Sequence, residues 1–73
     1  MIDKITNTVS KVLNTKTDAS TSQKNCVKWD SLMHIRIVIA LEDAFGLSFE
    51  PEEIARMTSI GNIEAIISNK EKQ

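Results

Sequence analysis

Ser31 is the side chain of this 73-residue sequence best placed to do chemistry. It stands between Asp30 and Leu32 in the run Trp29-Asp30-Ser31-Leu32-Met33-His34-Ile35, where a helical pattern opens. A hydroxyl there lies at the positive end of a helix, beside backbone N–H groups that have no intrahelical acceptor. That setting tolerates an anion, so a phosphate ester on the serine oxygen would be stabilised. The structural alternative is a plain capping pair, since Asp and Ser both favour helix starts.

The other reactive side chains lack supporting groups. His34 follows Ser31 by three positions, one helical turn away. A nucleophilic Ser–His pair would also need an orienting acid and donors for an oxyanion, and neither is evident. His34 therefore reads as a packing or partner-contact residue. Cys26 is the single cysteine, which excludes an intramolecular disulfide. It reads as a small buried hydrophobe, because Lys24 and Lys28 are mobile neighbours rather than a fixed activating cluster. Trp29 fits either a cover over the loop–helix junction or a partner contact. Glu50, Glu52 and Glu53 lack the alternating ligand spacing of a calcium loop and suit the start of a helix instead. No metal site is expected.

The elements that position these residues follow from periodicity and punctuation. Ile2, Ile5, Val9, Val12 and Leu13 recur at helical spacing, predicting a first helix over residues 2–14. Asn14 to Lys28 is polar and rich in Thr, Ser, Asp and Asn, a long surface loop of a length that is often functional. Asp30 as N-cap and Gly46 at C′ bound a second helix over residues 31–45. Pro51 opens a short third helix ending near Met57. Thr58 or Ser59 caps a fourth, carrying Ile60, Ile63, Ile66 and Ile67, and the polar tail Asn69–Gln73 is expected to fray. The reading is one all-α domain, a four-helix bundle over residues 1–73 without repeats.

The second helix is too apolar for one face. Val38, Leu41 and Phe45, with Ile37 alongside, form a core-facing set, and His34 falls at its upper end, so partial burial is expected there. Leu32, Ile35 and Ile39 form a second row beginning beside Ser31. Either the other helices surround this one, or the surplus row meets a cargo or partner.

Composition bounds the rest. A hydrophobic content of 41% supports a folded core and argues against disorder. The net charge of −1 hides an asymmetry: residues 1–28 carry five lysines against two aspartates, residues 29–68 two arginines against seven acids. An acidic C-terminal half suits basic docking surfaces, or is simply a solvated face. No apolar run is long enough to span a membrane, and the N-terminus lacks the basic-then-apolar order of a secretory signal, so the cytoplasm is the expected location. The lysines cluster in the first helix and loop, away from any would-be recognition helix, so nucleic acid is not an expected partner.

Asp30-Ser31-Leu32, Leu41-Glu42-Asp43-Ala44-Phe45, Glu50-Pro51-Glu52-Glu53-Ile54 and Met57-Thr58-Ser59-Ile60, in this order and spacing, resemble the acyl carrier protein family over essentially the whole chain. The resemblance implies an acyl-carrier-like bundle in which Ser31 carries 4′-phosphopantetheine, taken from coenzyme A in a Mg2+-dependent loading reaction. Asp30 would be the acidic neighbour read by the phosphopantetheinyl transferase. Acyl groups would ride as thioesters on the arm, so the chain itself is expected not to be an enzyme. Expected partners are that transferase, an acyl-loading ligase or transferase, and downstream acyl-transferring or condensing enzymes of fatty acid or other lipid metabolism. Asp30, Leu32, Met33, Ile35, Arg36, Ile39, Glu42 and Asp43 are the expected recognition residues of a monomeric carrier.

The chain departs from the common fatty-acid carriers. Met33 and Arg36 stand at outward positions where those carry acids, Trp29 replaces a small residue, and the overall charge is milder. These features resemble specialised stand-alone carriers serving sugar, polyketide or peptide-like metabolite synthesis. Two alternatives stand beside this reading: an aminoacyl or peptidyl carrier of a dedicated pathway, and an unmodified helical interaction module that would tolerate Ser31→Ala.

Overall fold

The computed structural model describes residues 1–72, which form four helices: α1 (Ile2–Leu13), α2 (Ser31–Phe45), α3 (Pro51–Arg56) and α4 (Ile60–Glu71). This is the all-α bundle with a long first loop and a short third helix that the pattern predicts.

Local chemistry sets the boundaries. α2 begins where the Asp30 carboxylate accepts the Met33 N–H at 2.8 Å. It ends at Gly46, whose φ of 64° is the left-handed conformation that glycine adopts without a Cβ penalty. Pro51 takes the first turn of α3, where a missing N–H breaks no helical bond. Ser59 caps α4, its Oγ accepting the Asn62 N–H at 3.0 Å. α1 stops at Leu13, one residue early, because Asn14 turns left-handed with φ of 53° and its N–H returns to the Ser10 carbonyl.

One core joins the helices. α1 contributes Ile5, Val9 and Leu13, α2 contributes Ile37, Val38 and Leu41, and α4 contributes Ile60, Ile63 and Ile67. Phe45, expected among the core-facing set, is only half-buried, and the Lys4 ammonium sits 4.6 Å from its ring centroid. Ile66 is likewise half-buried.

Two expectations are corrected. The stretch from Asn14 to Lys28 is not simply a surface loop. Thr17 is buried, donating from Oγ1 to the Thr6 carbonyl at 3.1 Å and lying 2.7 Å from the Ser10 hydroxyl. Further along, Gln23 N–H donates to the Thr58 carbonyl at 2.8 Å and Ile60 N–H to the Thr21 carbonyl at 2.9 Å, a short antiparallel bridge. The Asp18 carboxyl, which accepts from the Ser20 hydroxyl and N–H and from Thr21, is held below its ordinary range by those bonds.

The second correction is at the C-terminus. Asn69, Lys70 and Glu71 continue α4 instead of fraying. The reason is a clasp between helices: Glu53 Oε1 accepts from Lys70 Nζ at 2.8 Å and also from the Glu50 N–H at 2.8 Å. The backbone donor first, then Lys70, lowers the Glu53 pKa. Gln73 lies outside the described residues.

Candidate functional site

Ser31 occupies the first position of α2 and is exposed. The chain reaches it through an extended Asp30 (φ −92°, ψ −176°); Trp29 is 1% exposed, whereas Asp30 and Ser31 face solvent. Asp30 satisfies two donors of the first turn, its side chain taking the Met33 N–H and its carbonyl the His34 N–H, each at 2.8 Å. The serine thus sits on a rigid helix start, its hydroxyl open to a partner.

His34 is not a base for Ser31. Its Nδ1 accepts from the Trp29 indole Nε1 at 3.0 Å, and its Nε2 lies 2.8 Å from the Ile54 carbonyl. An indole N–H can only donate and a carbonyl can only accept, so the imidazole is neutral with its proton on Nε2. Both nitrogens are committed, and the half-buried ring stacks near Trp29 at 6.2 Å between centroids. Trp29 is therefore the cover of the loop–helix junction, held from inside. Cys26 is half-buried against the core, and its carbonyl accepts the Trp29 N–H at 3.0 Å, closing the turn that precedes the site.

Along α2, Ser31, Ile35, Ile39 and Asp43 recur every four residues and are all exposed, so they form one ridge headed by the serine. Leu32 and Arg36, also exposed, flank it. The apolar members are conspicuously open: Leu32 59%, Ile35 52% and Ile39 59%. The surplus row of the helix is therefore a surface, and the reading in which the other helices enclose it does not hold.

Two of the anticipated recognition residues are placed differently. Met33, expected to point outward, is half-buried and packs against the core. Glu42 turns inward, its Oε2 accepting the Phe49 N–H at 3.0 Å, while its carbonyl takes the Gly46 and Leu47 N–H groups. Its acid ties the loop after α2 to the helix, leaving Asp43 as the exposed acid at that end.

Residues 3–67 match the family model described as phosphopantetheine attachment site, a span running from the first turn of α1 into α4. The chain belongs to the phosphopantetheine-attachment family. No curated protein matches it. Members of this family bind 4′-phosphopantetheine covalently, and the match agrees with the resemblance to acyl carrier proteins. Their carrier domains are in general non-catalytic and work with a phosphopantetheinyl transferase and biosynthetic enzymes. Among the described residues, no helix is long and apolar enough to cross a membrane.

Sequence reasoning missed two features of this phosphopantetheine-attachment domain. Val27, four residues before Ser31, is 99% exposed at the crown of the Cys26–Trp29 turn. The Trp29–His34–Ile54 connection was also unanticipated. A signal for its first half existed: a buried tryptophan needs an acceptor for its indole N–H, and His34, about one helical turn into α2, is able to provide one.

Proposed function

We propose that this chain is an acyl carrier protein whose Ser31 bears 4′-phosphopantetheine and whose α2 ridge docks the enzymes that load and unload the arm. The observation that carries this reading is the exposed serine at the first position of α2, heading an exposed apolar ridge in a chain of the attachment family.

The residues present fit the group. The Ser31 hydroxyl is open, and the helix start beneath it favours the negative charge of a phosphodiester. Asp30 keeps that start wound and offers an acidic neighbour for the transferase to read. Because both His34 nitrogens are engaged, Ser31 has no resident base there, which suits attachment by a partner rather than self-catalysis. In loading, the Ser31 oxygen would form the new P–O bond and give its proton to the transferase, while the pyrophosphate bond of coenzyme A breaks and adenosine 3′,5′-bisphosphate leaves. When bound, the group supplies a terminal thiol that holds an acyl unit as a thioester.

The docking surface comprises Leu32, Ile35 and Ile39, with Arg36 and Asp43 as its charges. Desolvating three large apolar side chains is the main source of affinity such a ridge offers, while the two charges select among partners. Met33 and Glu42, both half-buried, support the helix from inside. An apolar ridge with Arg36 in place of acids, and Trp29 before the motif, fits a carrier dedicated to a specialised acyl pathway better than one serving general fatty acid synthesis. The 73 residues act as one non-catalytic domain, as a monomer, in the cytoplasm.

The test is intact-protein and peptide mass after incubation with coenzyme A, Mg2+ and a broad-specificity phosphopantetheinyl transferase. One phosphopantetheinyl group mapped to Ser31 is expected, with none on a Ser31→Ala variant whose thermal melt matches the parent. No gain, with the transferase of the native source as well, would replace this reading with an unmodified interaction module using the same ridge.

A further inference from the structure

We propose that the Trp29–His34–Ile54 relay positions Ser31 for loading, with Trp29 and His34 acting as positioning residues through the backbone between them. The inference rests on Ser31 being the attachment residue.

The relay has a fixed direction. The indole N–H donates to Nδ1 and the Nε2–H donates to the Ile54 carbonyl, at 3.0 and 2.8 Å. Neither bond can be reversed, because the first group has no acceptor and the last no donor. The relay ties together three stretches of chain: the end of the long loop, the first turn of α2, and the last turn of α3. α3 has six residues and no fully buried side chain of its own, so it gains an anchor that its length and packing do not provide.

Ser31 lies inside the closed segment. Trp29 is two residues before it and His34 three after, and the Asp30 cap to Met33 is nested within the same loop of bonds. The indole is locked inward, while Asp30 and the first residue of the helix, Ser31, are both exposed, so the clamp holds the serine's backbone from the buried side and leaves its hydroxyl open. A phenylalanine at position 29 would retain the apolar burial but not the donor. The relay therefore adds direction to a residue that hydrophobic packing alone would merely bury. A reacting oxygen misplaced by about 1 Å loses rate steeply, so a clamp on both sides of the serine acts on the attachment step and not only on folding.

The experiment compares the parent with Trp29→Phe, His34→Leu and His34→Gln in the loading assay, over carrier concentrations that separate kcat from KM. Circular dichroism establishes that each variant is folded at the assay temperature. Imidazole 15N–1H correlations read the tautomer of the parent. The relay predicts the Nε2–H tautomer. It also predicts a loss of roughly tenfold or more in kcat/KM for Trp29→Phe and His34→Leu. His34→Gln, which keeps one acceptor and one donor, should recover a large part of that loss.

Trp29→Phe loading within about twofold of the parent while folded would overturn the inference, as would an Nδ1–H tautomer. Equal losses in all three variants would assign the effect to packing and overturn it too. If His34→Leu does not fold, Trp29→Phe decides. Failure of the parent itself to load would sink the carrier reading, an outcome distinct from a parent that loads and variants that load equally well.

Discussion

Ile37 and Ile39 stand two residues apart on α2, yet the first is fully buried and the second is 59% exposed. Two residues turn a helix by about 200°, so the pair looks in opposite directions. One face carries Ile37, Val38 and Leu41 into the core shared with α1 and α4, and the other carries Leu32, Ile35 and Ile39 into solvent. The residue types are almost the same; only the neighbours differ. A chain of this size has too few helices to enclose α2, and the uncovered face begins at Ser31, the proposed attachment residue. Hydrophobicity thus does two jobs on one helix. On the inner face it holds the fold, and on the outer face, in the function proposed, it serves partners that arrive later.

Substitution to alanine on each face should separate those jobs most strongly. Ile37→Ala removes a fully buried side chain and should cost about 2–5 kcal/mol, a large share of what a domain of this length possesses. Ile39→Ala should change stability by no more than about 0.5 kcal/mol, because alanine suits a helix and nothing packed is lost. Urea unfolding measures both. Acyl transfer from a loaded Ile39→Ala carrier to its cognate enzyme should nevertheless fall. A similar stability loss for the two variants would break the contrast between the faces.

What could be read in advance, and what could not, follows the range of the interactions. Asp30, Gly46, Pro51 and Ser59 act on backbone groups within four residues, so their identity nearly fixes where α2 begins and ends and where α3 and α4 start. The excess of apolar residues on α2 was equally visible, and only its exposure needed coordinates. Three features that could not be read involve partners distant in sequence. Thr17 is buried against the Thr6 carbonyl, His34 reaches the Ile54 carbonyl, and Glu42 captures the Phe49 N–H. Backbone carbonyls and amides exist at every position, so no residue type announces which one a side chain will find. The helical tail was misjudged for the same reason: the Lys70–Glu53 pair spans 17 positions.

Asp30 allows a finer separation at the head of the ridge, where the cap and the proposed recognition coincide in one carboxylate. Asp30→Ala should cost about 1 kcal/mol, since the Met33 N–H loses its acceptor. Asp30→Asn keeps a side-chain oxygen at the cap and should cost only a few tenths of that order. If the transferase reads the charge, both variants load slowly although only the first is destabilised. If loading follows stability instead, the acid serves the helix alone, and recognition belongs to the apolar ridge.

The smallest expected effect is on acid stability, and it concerns the scaffold behind the inner face. The Glu53 carboxyl accepts from the Glu50 N–H and from Lys70, and both lower its pKa from the ordinary 4.5. A carboxyl with a folded value below its unfolded one binds fewer protons when folded. Its contribution is complete above the unfolded value and disappears as the pH falls through the folded one. Asp18, lowered from 3.8 by the Ser20 and Thr21 donors, acts in the same sense at the loop. Thermal midpoints measured from neutral pH downward should therefore decline below about pH 4.5. Glu53→Gln should flatten part of that decline, because it removes the titrating group that joins α3 to α4. The ridge residues carry no part of this clasp, so Ile39→Ala should leave the shape of the profile unchanged. A parental profile that Glu53→Gln does not alter would show that the Lys70 clasp orders the end of α4 without stabilising the bundle, as surface ion pairs often do.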